Sequence, residues 1–223
     1  DGWDTLRERG PRRVLPMTVP MLMPNAAAGN LSLRNAAGFL LTPTSLPYDI
    51  MQPEDLVQMY FDGTYDGPRR PSSEWRFHRD ILAARPDVNV VLHCHSIYAT
   101  TLACHHKPIP SFHYMVGLAG GTDIRCARYA TFGTQGLSDA AIEALENRMA
   151  CLLGQHGQIS LGKSLDGALA LACEVETLLG GRAGEPRRGA RAAGGYGGRR
   201  GGGRHGRSLP PPYWACCGRA GSS

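Results

Sequence analysis

The chain has 223 residues, 42% of them hydrophobic and 19% charged, which is the balance of an ordinary globular domain with room for a substantial core. No apolar run approaches the roughly 20 residues that a membrane helix needs, and the N-terminal residues lack the basic start and apolar stretch of a secretory signal. Seven cysteines without a C-x-x-C pair do not suggest a disulfide framework. These features predict a cytoplasmic protein without a membrane partner.

The net charge of +5 comes from one end of the chain. Residues 180–223 contain nine Arg and one Glu, which sums to +8 and leaves −3 for residues 1–179. This C-terminal segment is glycine-rich and low in complexity, so we expect it to be disordered. A Gly-Arg tract can bind nucleic acid, but one short tract is weak support, and a nucleic-acid partner is not expected. Residues 1–28 are atypical as well, because three closely spaced prolines argue against regular structure.

Residues 29–179 alternate strand and helix signals and are predicted to form the folded domain. The pattern predicts strands or helices at 38–43 (strand), 72–86 (helix capped by serine), 89–95 (strand), 138–149 (helix capped by Ser138), 150–162 (two strands around a turn at 155–157) and 164–179 (helix). The last helix has an apolar stripe made by Leu165, Ala168, Leu169, Ala172, Val175 and Leu179. Short strands mixed with separate helices predict an α/β fold in which helices cover a central sheet.

Two histidines separated by one residue stand out in the apolar run "VVLHCHSIYA" (91–100). Side chains alternate along a strand, so His93 and His95 share a face while Cys94 points the other way. Two imidazoles on one face can converge on a metal ion, although an edge pair facing water is the commoner outcome for H-x-H. Zinc needs three or four ligands, and His156, in a tight turn before Gly157, can project into a cleft as a third. The remaining candidates are Glu74, His78, His105, His106 and His113, of which the four histidines fit packing, second-layer or loop positions better.

A second kind of chemistry is indicated by "PSSEWRFH". Ser72 and Ser73 precede a helix, where free backbone N–H groups and the helix dipole favour an anion such as phosphate. Simple N-capping accounts for one of these serines but not for both. Glu74 follows them, and a carboxylate held by its neighbours suits a general base. Two further polar turns, in "AGNLSLR" and "LTPTS", add the donors Gly29, Asn30, Thr44 and Ser45.

Six segments in a fixed order carry a family resemblance: "GNLSLR", "LTPTSLPYD", "RRPSSEWRFHRDILAARPDVNVVLHCHS", "IPSFHYMVGLAGG", "YATFGT" and "LLGQHG". Over about residues 29–179 the chain resembles the class II aldolase/adducin family, most of all its L-fuculose-1-phosphate aldolases. Six ordered segments are a far more specific signal than H-x-H alone. The resemblance implies αβα layers around a mostly antiparallel central sheet, and assembly as a homotetramer.

The resemblance also implies roles for individual residues. Zn²⁺, or another divalent cation, is held by His93, His95 and His156, with Glu74 as a further ligand that swings away to act as the base. Tyr114, in "HYM", protonates the aldehyde oxygen in the site of a neighbouring subunit. The phosphate of a sugar phosphate binds at Gly29, Asn30, Thr44, Ser45, Ser72 and Ser73.

The reaction implied is zinc-dependent cleavage of a ketose 1-phosphate, similar to L-fuculose 1-phosphate, to dihydroxyacetone phosphate and an aldehyde through a metal-stabilised enediolate. Alternatives within the family are a sugar-phosphate epimerase or dehydratase, and an inactive or adducin-like member. The presence of the three histidines and Glu74 favours an enzyme over the adducin-like alternative.

Two features depart from the family pattern. The fuculose enzymes have "TPTG" where this chain has "TPTS", so Ser45 places a side chain where glycine approaches the phosphate. The family also has a long amphipathic helix before "GN" and a helix with an aromatic segment at the C-terminus. Residues 1–28 and 180–223 supply neither, so tetramer assembly and activity are the properties that depend most on these ends.

Overall fold

The protein is described by a computed structural model in which residues 29–183 can be followed, and side chains through residue 180. The predictions made for residues 1–28, and for the Gly/Arg-rich segment from residue 184 onward, fall outside the described residues.

Within residues 29–183, eight strands form one sheet in the order β4-β3-β2-β1-β5-β8-β7-β6. Their bounds are β1 Asn30–Arg34, β2 Phe39–Leu41, β3 Val57–Met59, β4 Tyr65–Asp66, β5 Val90–Cys94, β6 Cys126–Ala127, β7 Ala150–Leu153 and β8 Gly157–Gly162. Every neighbouring pair is antiparallel except β6 and β7, which are parallel. The mostly antiparallel sheet expected from the family resemblance is confirmed.

Helices cover both faces of this sheet. Their bounds are α1 Trp75–Ala84, α2 Ile97–Cys104, α3 Gln135–Ala144 and α4 Leu165–Ala183, with 3-10 turns at Pro53–Asp55 and Tyr114–Ala119. Helices α1 and α3 pack on one face in a single apolar cluster, and α2 and α4 pack on the other. The predicted αβα layering is therefore confirmed. None of the helices described is both long and apolar enough to cross a bilayer.

Alternation along β5 separates the two sides of the core. Val91 belongs to the cluster under α1 and α3, whereas Leu92 and Cys94 belong to the cluster under α4. His93 lies on the α1 side, where its ring meets the edge of Phe77 at a centroid distance of 5.6 Å. The predicted opposition of His93 and Cys94 follows directly from the two-residue period of the strand.

The segment "GNLSLR" is a strand, which corrects the expectation of a short polar turn. As β1 it pairs with both β2 and β5 in the middle of the sheet. Leu31 and Leu33 pack under α4, and the alternate residues Asn30 and Ser32 are buried on the opposite face. The polar residues that suggested a turn are thus the inner face of a central strand.

Two predicted helix starts also need correction. Helix α3 begins at Gln135, three residues before the predicted start at Ser138. Thr134 is its cap, because the Thr134 side chain accepts a hydrogen bond from the N–H of Leu137 at 3.3 Å. Ser138 instead donates to Asp80 at 2.6 Å and ties α3 to α1. In α1 the cap position is Glu74, without a capping hydrogen bond from its side chain, and Ser72 Oγ accepts from the N–H of Glu74 at 3.3 Å.

Helix α2 was not predicted, because it follows β5 with no glycine or proline between them. Its N-terminus is satisfied from a distance: the buried carboxylate of Glu176, in α4, accepts from the N–H groups of Tyr98 and Ala99 at 2.8 and 3.0 Å. A cap supplied from 78 residues away leaves no local signal in the sequence. Helix α4 itself has the predicted apolar stripe and continues to Ala183, past the predicted end at residue 179.

Candidate metal centre and adjacent pocket

Three histidines meet where β5 ends and β8 begins. His93 is in β5, His95 follows that strand directly, and His156 lies in the turn between β7 and β8. The Nε2 atoms of His93 and His95 are 3.0 Å apart, and the three ring centroids are separated by 4.8, 4.7 and 4.9 Å. The structure thus brings together the three histidines proposed from the sequence, with ligand atoms within 4.8 Å of one another.

The protonation of these rings suits metal binding. His93 Nδ1 lies 2.9 Å from the carbonyl oxygen of Gln158, and since a carbonyl only accepts, Nδ1 carries the proton and Nε2 keeps its lone pair. Burial, followed by repulsion from His95, lowers the pKa of His93 to about 3. Burial, followed by repulsion from His93, lowers the pKa of His156 to about 3, and burial lowers the pKa of His95. All three are therefore neutral near pH 7.

A carboxylate closes this group. Glu74 is only 7% exposed, and its Oε2 accepts from Asn30 Nδ2 at 2.8 Å. The same oxygen is 3.3 Å from His93 Nε2, and Oε1 is 3.3 Å from His156 Nε2. Despite that proximity, Oε1 is buried without a hydrogen-bond partner among the described residues. A lone pair on a neutral ring nitrogen and a carboxylate oxygen can both be satisfied by a cation or by a hydrogen-bond donor.

The donor set fits a divalent cation. Neighbouring ligands of a tetrahedral zinc with bonds of about 2.0–2.1 Å are about 3.3 Å apart. The spacings here are 3.0 Å between two ring nitrogens and 3.3 Å from ring nitrogen to carboxylate. A cation would also satisfy the unpartnered Oε1 of Glu74. The described residues His93, His95, His156 and Glu74 could hold such an ion, and these roles remain predictions.

Gly157 makes room for the cluster. A Cβ at this position would lie 2.5 Å from the carbonyl oxygen of Cys94, 3.0 Å from His95 Cδ2 and 3.3 Å from His93 Cε1. Contacts below 3.0 Å force a shift, and the first contact is to backbone, which cannot move cheaply. The glycine after His156 is therefore needed for the rings of His93 and His95 to keep their places.

A polar pocket of about 170 Å³ adjoins the carboxylate and His95. It lies between the start of β1, the turn after β2 and the start of α1. The residues nominated for phosphate binding all line it, together with Glu74 and His95: Gly29, Asn30, Thr44, Ser45, Ser72 and Ser73. The structure brings these residues to one place, and phosphate binding there remains a prediction.

The two turns of this pocket have unusual backbone conformations. Gly29 has φ 90°, and its carbonyl oxygen accepts from the buried Tyr48 hydroxyl at 3.0 Å. Ser45 has φ 57°, in the left-handed region that favours glycine. This explains why a glycine at the same place suits the family pattern, because Ser45 keeps the turn at the cost of local strain.

The other nominated residues lie elsewhere. Tyr114 is 83% exposed and lines a separate surface depression with His113, not the pocket that contains Glu74. His105 and His106 are exposed beyond α2, as expected for a loop. Within its own chain, therefore, Tyr114 is not one of the residues around the metal centre.

Sequence reasoning missed two groups that support the site. The backbone carbonyl of Gln158 orients His93, and Ser32 is hydrogen-bonded to His78 at 2.7 Å. Nothing local marks Gln158, since its role comes from pairing β5 with β8. Ser32 could have been found by reading "NLSLR" as a strand, because residues two apart then share the inner face.

The fold and this site define a class of protein, and comparison with known proteins agrees. Residues 23–180 match the family described as Class II Aldolase and Adducin N-terminal domain. The chain therefore belongs to the class II aldolase and adducin family, and its curated relatives place it among the class II aldolases, which are lyases.

Particular relatives are similar over most of their length. The 5-methylthioribulose-1-phosphate/5-deoxyribulose-1-phosphate aldolase of Rhodospirillum rubrum is 55% identical over 151 residues, 68% of each chain. The L-fuculose phosphate aldolase of Escherichia coli O6:H1 is 46% identical over 151 residues, 68% of this chain and 70% of its own. A solved L-fuculose 1-phosphate aldolase has a TM-score of 0.74 at 33% identity, covering 81% of this chain and 88% of its own. The resemblance seen in the sequence is confirmed.

We predict that Gly157→Ala weakens metal binding about 10- to 100-fold, as loss of a supporting contact typically does, because the added methyl group displaces the rings of His93 and His95. Competition with a chelator for Zn²⁺ measures the affinity. Gly136→Ala is the matched control, since its Cβ would make only contacts of 3.8 Å or more. Equal affinities in the two variants would contradict the steric argument.

We also predict that the metal-free protein loses stability in acid. The pKa of His93 and of His156 is about 3 when folded, against 6.5 for an ordinary histidine. Between pH 6.5 and 3 the unfolded chain therefore binds more protons, so the free energy of unfolding falls as the pH falls and is fully retained above this window.

Urea unfolding at pH 7 and pH 5, in the presence of a chelator and at constant protein concentration, measures this effect. His156→Gln should reduce the pH dependence, whereas substitution of the exposed His105 by Gln should leave it unchanged. A pH dependence that is the same in wild type and His156→Gln would show that His156 does not contribute to it.

Proposed function

We propose that this chain is a metal-dependent aldolase that cleaves a ketose 1-phosphate to dihydroxyacetone phosphate and an aldehyde. The observation that carries the proposal is the convergence of three neutral imidazoles and one buried carboxylate at the edge of a hydroxyl-lined pocket. This arrangement supplies a cation site, a base and an anion site within one cavity. Metal-dependent cleavage of a ketose 1-phosphate would use all three, because the cation polarises the carbonyl, the base handles the proton on carbon and the anion site holds the phosphate.

The cation would be held by His93, His95 and His156, with Glu74 as a further ligand before substrate binds. Three nitrogen ligands and one oxygen ligand are typical of zinc, so we propose Zn²⁺. When bound, the ion supplies Lewis-acid polarisation of the substrate carbonyl. Neutral rings are essential here, because an imidazolium has no lone pair to give.

The phosphate group would bind in the adjoining pocket. Among the described residues, Glu74 is the one acidic side chain that lines this pocket, and no Lys or Arg lines it, so binding would depend on hydroxyl and backbone N–H donors. The exposed hydroxyls of Thr44, Ser45 and Ser73 are available, and the pocket also includes the start of α1, where backbone N–H groups favour an anion. One N–H of the Asn30 amide donates to Glu74, which leaves the second for the phosphate.

Glu74 would transfer the proton on carbon. In the condensation direction its carboxylate removes a proton from the carbon next to the carbonyl, and that carbon then attacks the aldehyde. In the cleavage direction the same group returns the proton to the carbon after the bond has broken. The buried, unpartnered Oε1 supports this role, since it is free of hydrogen bonds within the described residues.

Tyr114 would act from a neighbouring subunit of a homotetramer. Its hydroxyl protonates the aldehyde oxygen as the new bond forms, and accepts that proton back during cleavage. The side chain is 83% exposed and absent from the pocket of its own chain. Other large apolar side chains between residues 97 and 132 are more than half exposed, which is typical of surfaces that a partner covers: Ile97, Leu118, Tyr129 and Phe132.

Two substrate types are supported by the relatives. A relative named for 5-methylthioribulose 1-phosphate and 5-deoxyribulose 1-phosphate is 55% identical, and relatives named for L-fuculose phosphate are 44–46% identical. These substrates share the phosphorylated three-carbon end and differ in the aldehyde that leaves. We therefore propose a ketose 1-phosphate as the substrate class, with the reaction in the cytoplasm, and a screen that includes all three compounds.

The alternatives raised by the sequence use the same metal site. An epimerase would rejoin the two products before release, and a dehydratase would expel water instead of breaking a carbon–carbon bond. An inactive or adducin-like member would not need four potential metal ligands in one cluster. Free dihydroxyacetone phosphate as a product separates the aldolase from the others.

We predict that Glu74→Gln lowers kcat about 10²- to 10⁴-fold, the usual contribution of a general base, because the amide cannot accept the proton. A coupled assay for dihydroxyacetone phosphate with each of the three ketose phosphates measures the rate. Substitution of the exposed Glu54 by Gln is the matched control and should leave kcat unchanged. Wild-type kcat in Glu74→Gln would overturn the assignment of the base.

We predict that Tyr114→Phe and Glu74→Gln, each poorly active alone, complement each other when co-expressed. If Tyr114 serves a neighbour's site, random mixing of equal amounts gives about one quarter of sites with both groups intact. If Tyr114 served its own chain, every site would lack one group and activity would stay low. The rate of the mixed assembly, with its mass measured by light scattering, decides between these results.

A further inference from the structure

Four polar side chains form a continuous hydrogen-bonded chain that ends at the proposed base. Ser32 Oγ is 2.7 Å from His78 Nδ1, and His78 Nε2 is 2.5 Å from Asn30 Oδ1. Asn30 Nδ2 in turn donates to Glu74 Oε2 at 2.8 Å. Ser32 and His78 have no exposed surface, and Asn30 is 5% exposed, so the chain runs from the core to the edge of the pocket.

The direction of every hydrogen bond in this chain is fixed by its last member. An ionised carboxylate can only accept, so the Asn30 nitrogen must face Glu74 and the Asn30 oxygen must face His78. That oxygen also only accepts, so His78 must carry its proton on Nε2. Nδ1 of His78 then accepts from the hydroxyl of Ser32. Reversing any one of these bonds would set two acceptors or two donors against each other.

The fold holds this chain from both sides. Asn30 and Ser32 are alternate residues of β1 and therefore share its inner face, with Asn30 opposite His93 in the pairing with β5. His78 lies on α1, one turn after Glu74, and its ring stacks on Phe77 at a centroid distance of 4.5 Å. The hydrogen-bonded chain thus connects β1 to Glu74, the cap residue of α1.

Burying Ser32 and His78 costs free energy, which their hydrogen bonds must offset. Both side chains are fully buried and lose their hydrogen bonds to water. Hydrogen bonds to each other and to Asn30 replace them within the described residues. Apolar side chains of similar size could fill the same space between β1 and α1 without that requirement. The polarity of Ser32 and His78 is explained if the site needs a hydrogen-bond donor aimed at the Asn30 oxygen.

We propose that His78 is a positioning residue for the aldolase site: by donating from Nε2 to Asn30 Oδ1, it fixes the orientation of the Asn30 amide, which in turn holds the carboxylate of Glu74. This inference rests on the proposed function of Glu74 as metal ligand and base. His78 does not line the pocket, and its hydrogen bond toward the site is the one to Asn30. Burial, followed by repulsion from His93, keeps the pKa of His78 well below its usual value, in keeping with a neutral ring that has one N–H.

Two substitutions separate this role from packing. The nitrogen of a glutamine side chain occupies the place of histidine Nε2, and that of asparagine the place of Nδ1. His78→Gln therefore keeps the donor to Asn30, whereas His78→Asn loses it. We expect His78→Asn to lower kcat and the affinity for Zn²⁺ about 10- to 100-fold, as expected when an outer-layer partner is lost, and His78→Gln to restore both close to wild type.

A double-mutant cycle with Asn30→Ala provides a readout that a merely structural role would not move. If His78 acts through Asn30, then His78→Asn and His78→Gln have the same kcat and the same Zn²⁺ affinity once Asn30 is alanine. Urea unfolding of each variant shows how much of any loss comes from stability. Equal losses in the two single variants, or an undiminished effect of His78→Asn in the Asn30→Ala background, would overturn the proposal.

The affinity measurement also keeps the two proposals apart. A wild-type chain that binds Zn²⁺ but cleaves none of the three ketose phosphates would refute the proposed reaction, while a Zn²⁺ affinity lowered in His78→Asn and restored in His78→Gln would still support positioning. A wild-type chain that binds no divalent cation would overturn both. Substitution of the exposed His105 by Gln should leave both kcat and affinity unchanged.

Discussion

The register of β5 between β1 and β8 is the constraint on which the site depends. It places His93 opposite Asn30 on one side and opposite Ile159 on the other, and it brings the Gln158 carbonyl to His93 Nδ1. Because side chains alternate, a slip of one residue would turn His93 toward α4 and bring Cys94 to its place. The apolar residues on both faces of β5 make such a slip costly, so core packing and site geometry are fixed together.

Burial of the ionisable groups at this site destabilises the folded chain when no cation is bound. Burial keeps the three rings neutral by lowering their pKa values, and it leaves one oxygen of Glu74 without a hydrogen bond in the described part of the chain. A bound cation would satisfy these lone pairs together and would stabilise the folded chain by mass action. In the proposed enzyme, folding, metal binding and reactivity would therefore be linked through the same four side chains, and the Asn30 amide lies between them and the adjoining polar pocket.

Some residues of the site lie on rigid strands, whereas others lie at positions that leave them freer to move. His93 and Asn30 are held by the central strands β5 and β1, where neighbours on both sides restrict movement, and His95 and His156 lie directly next to β5 and β8. Glu74 lies at the cap position of α1, outside the regular helix and without a capping hydrogen bond from its side chain, which suits the change of partner proposed for it. Tyr114 lies on a 3-10 turn, is itself 83% exposed and does not line the pocket of its own chain, so assembly would decide its position if it acts as proposed.

The sequence by itself determined the strand that ends in His93-Cys94-His95 and the helices that cover the sheet, because these follow from two-residue and 3.6-residue periods, and the family resemblance of six ordered segments implied the αβα layering and the grouping of the polar residues. It did not reveal that "NLSLR" is a central strand, that Glu176 caps α2, or that Ser32, His78, Asn30 and Glu74 form one chain. Those facts depend on residues 44 to 78 positions apart in sequence. Hydrogen bonds across such separations exist only after the sheet has closed, and only the tertiary structure decides which polar groups meet.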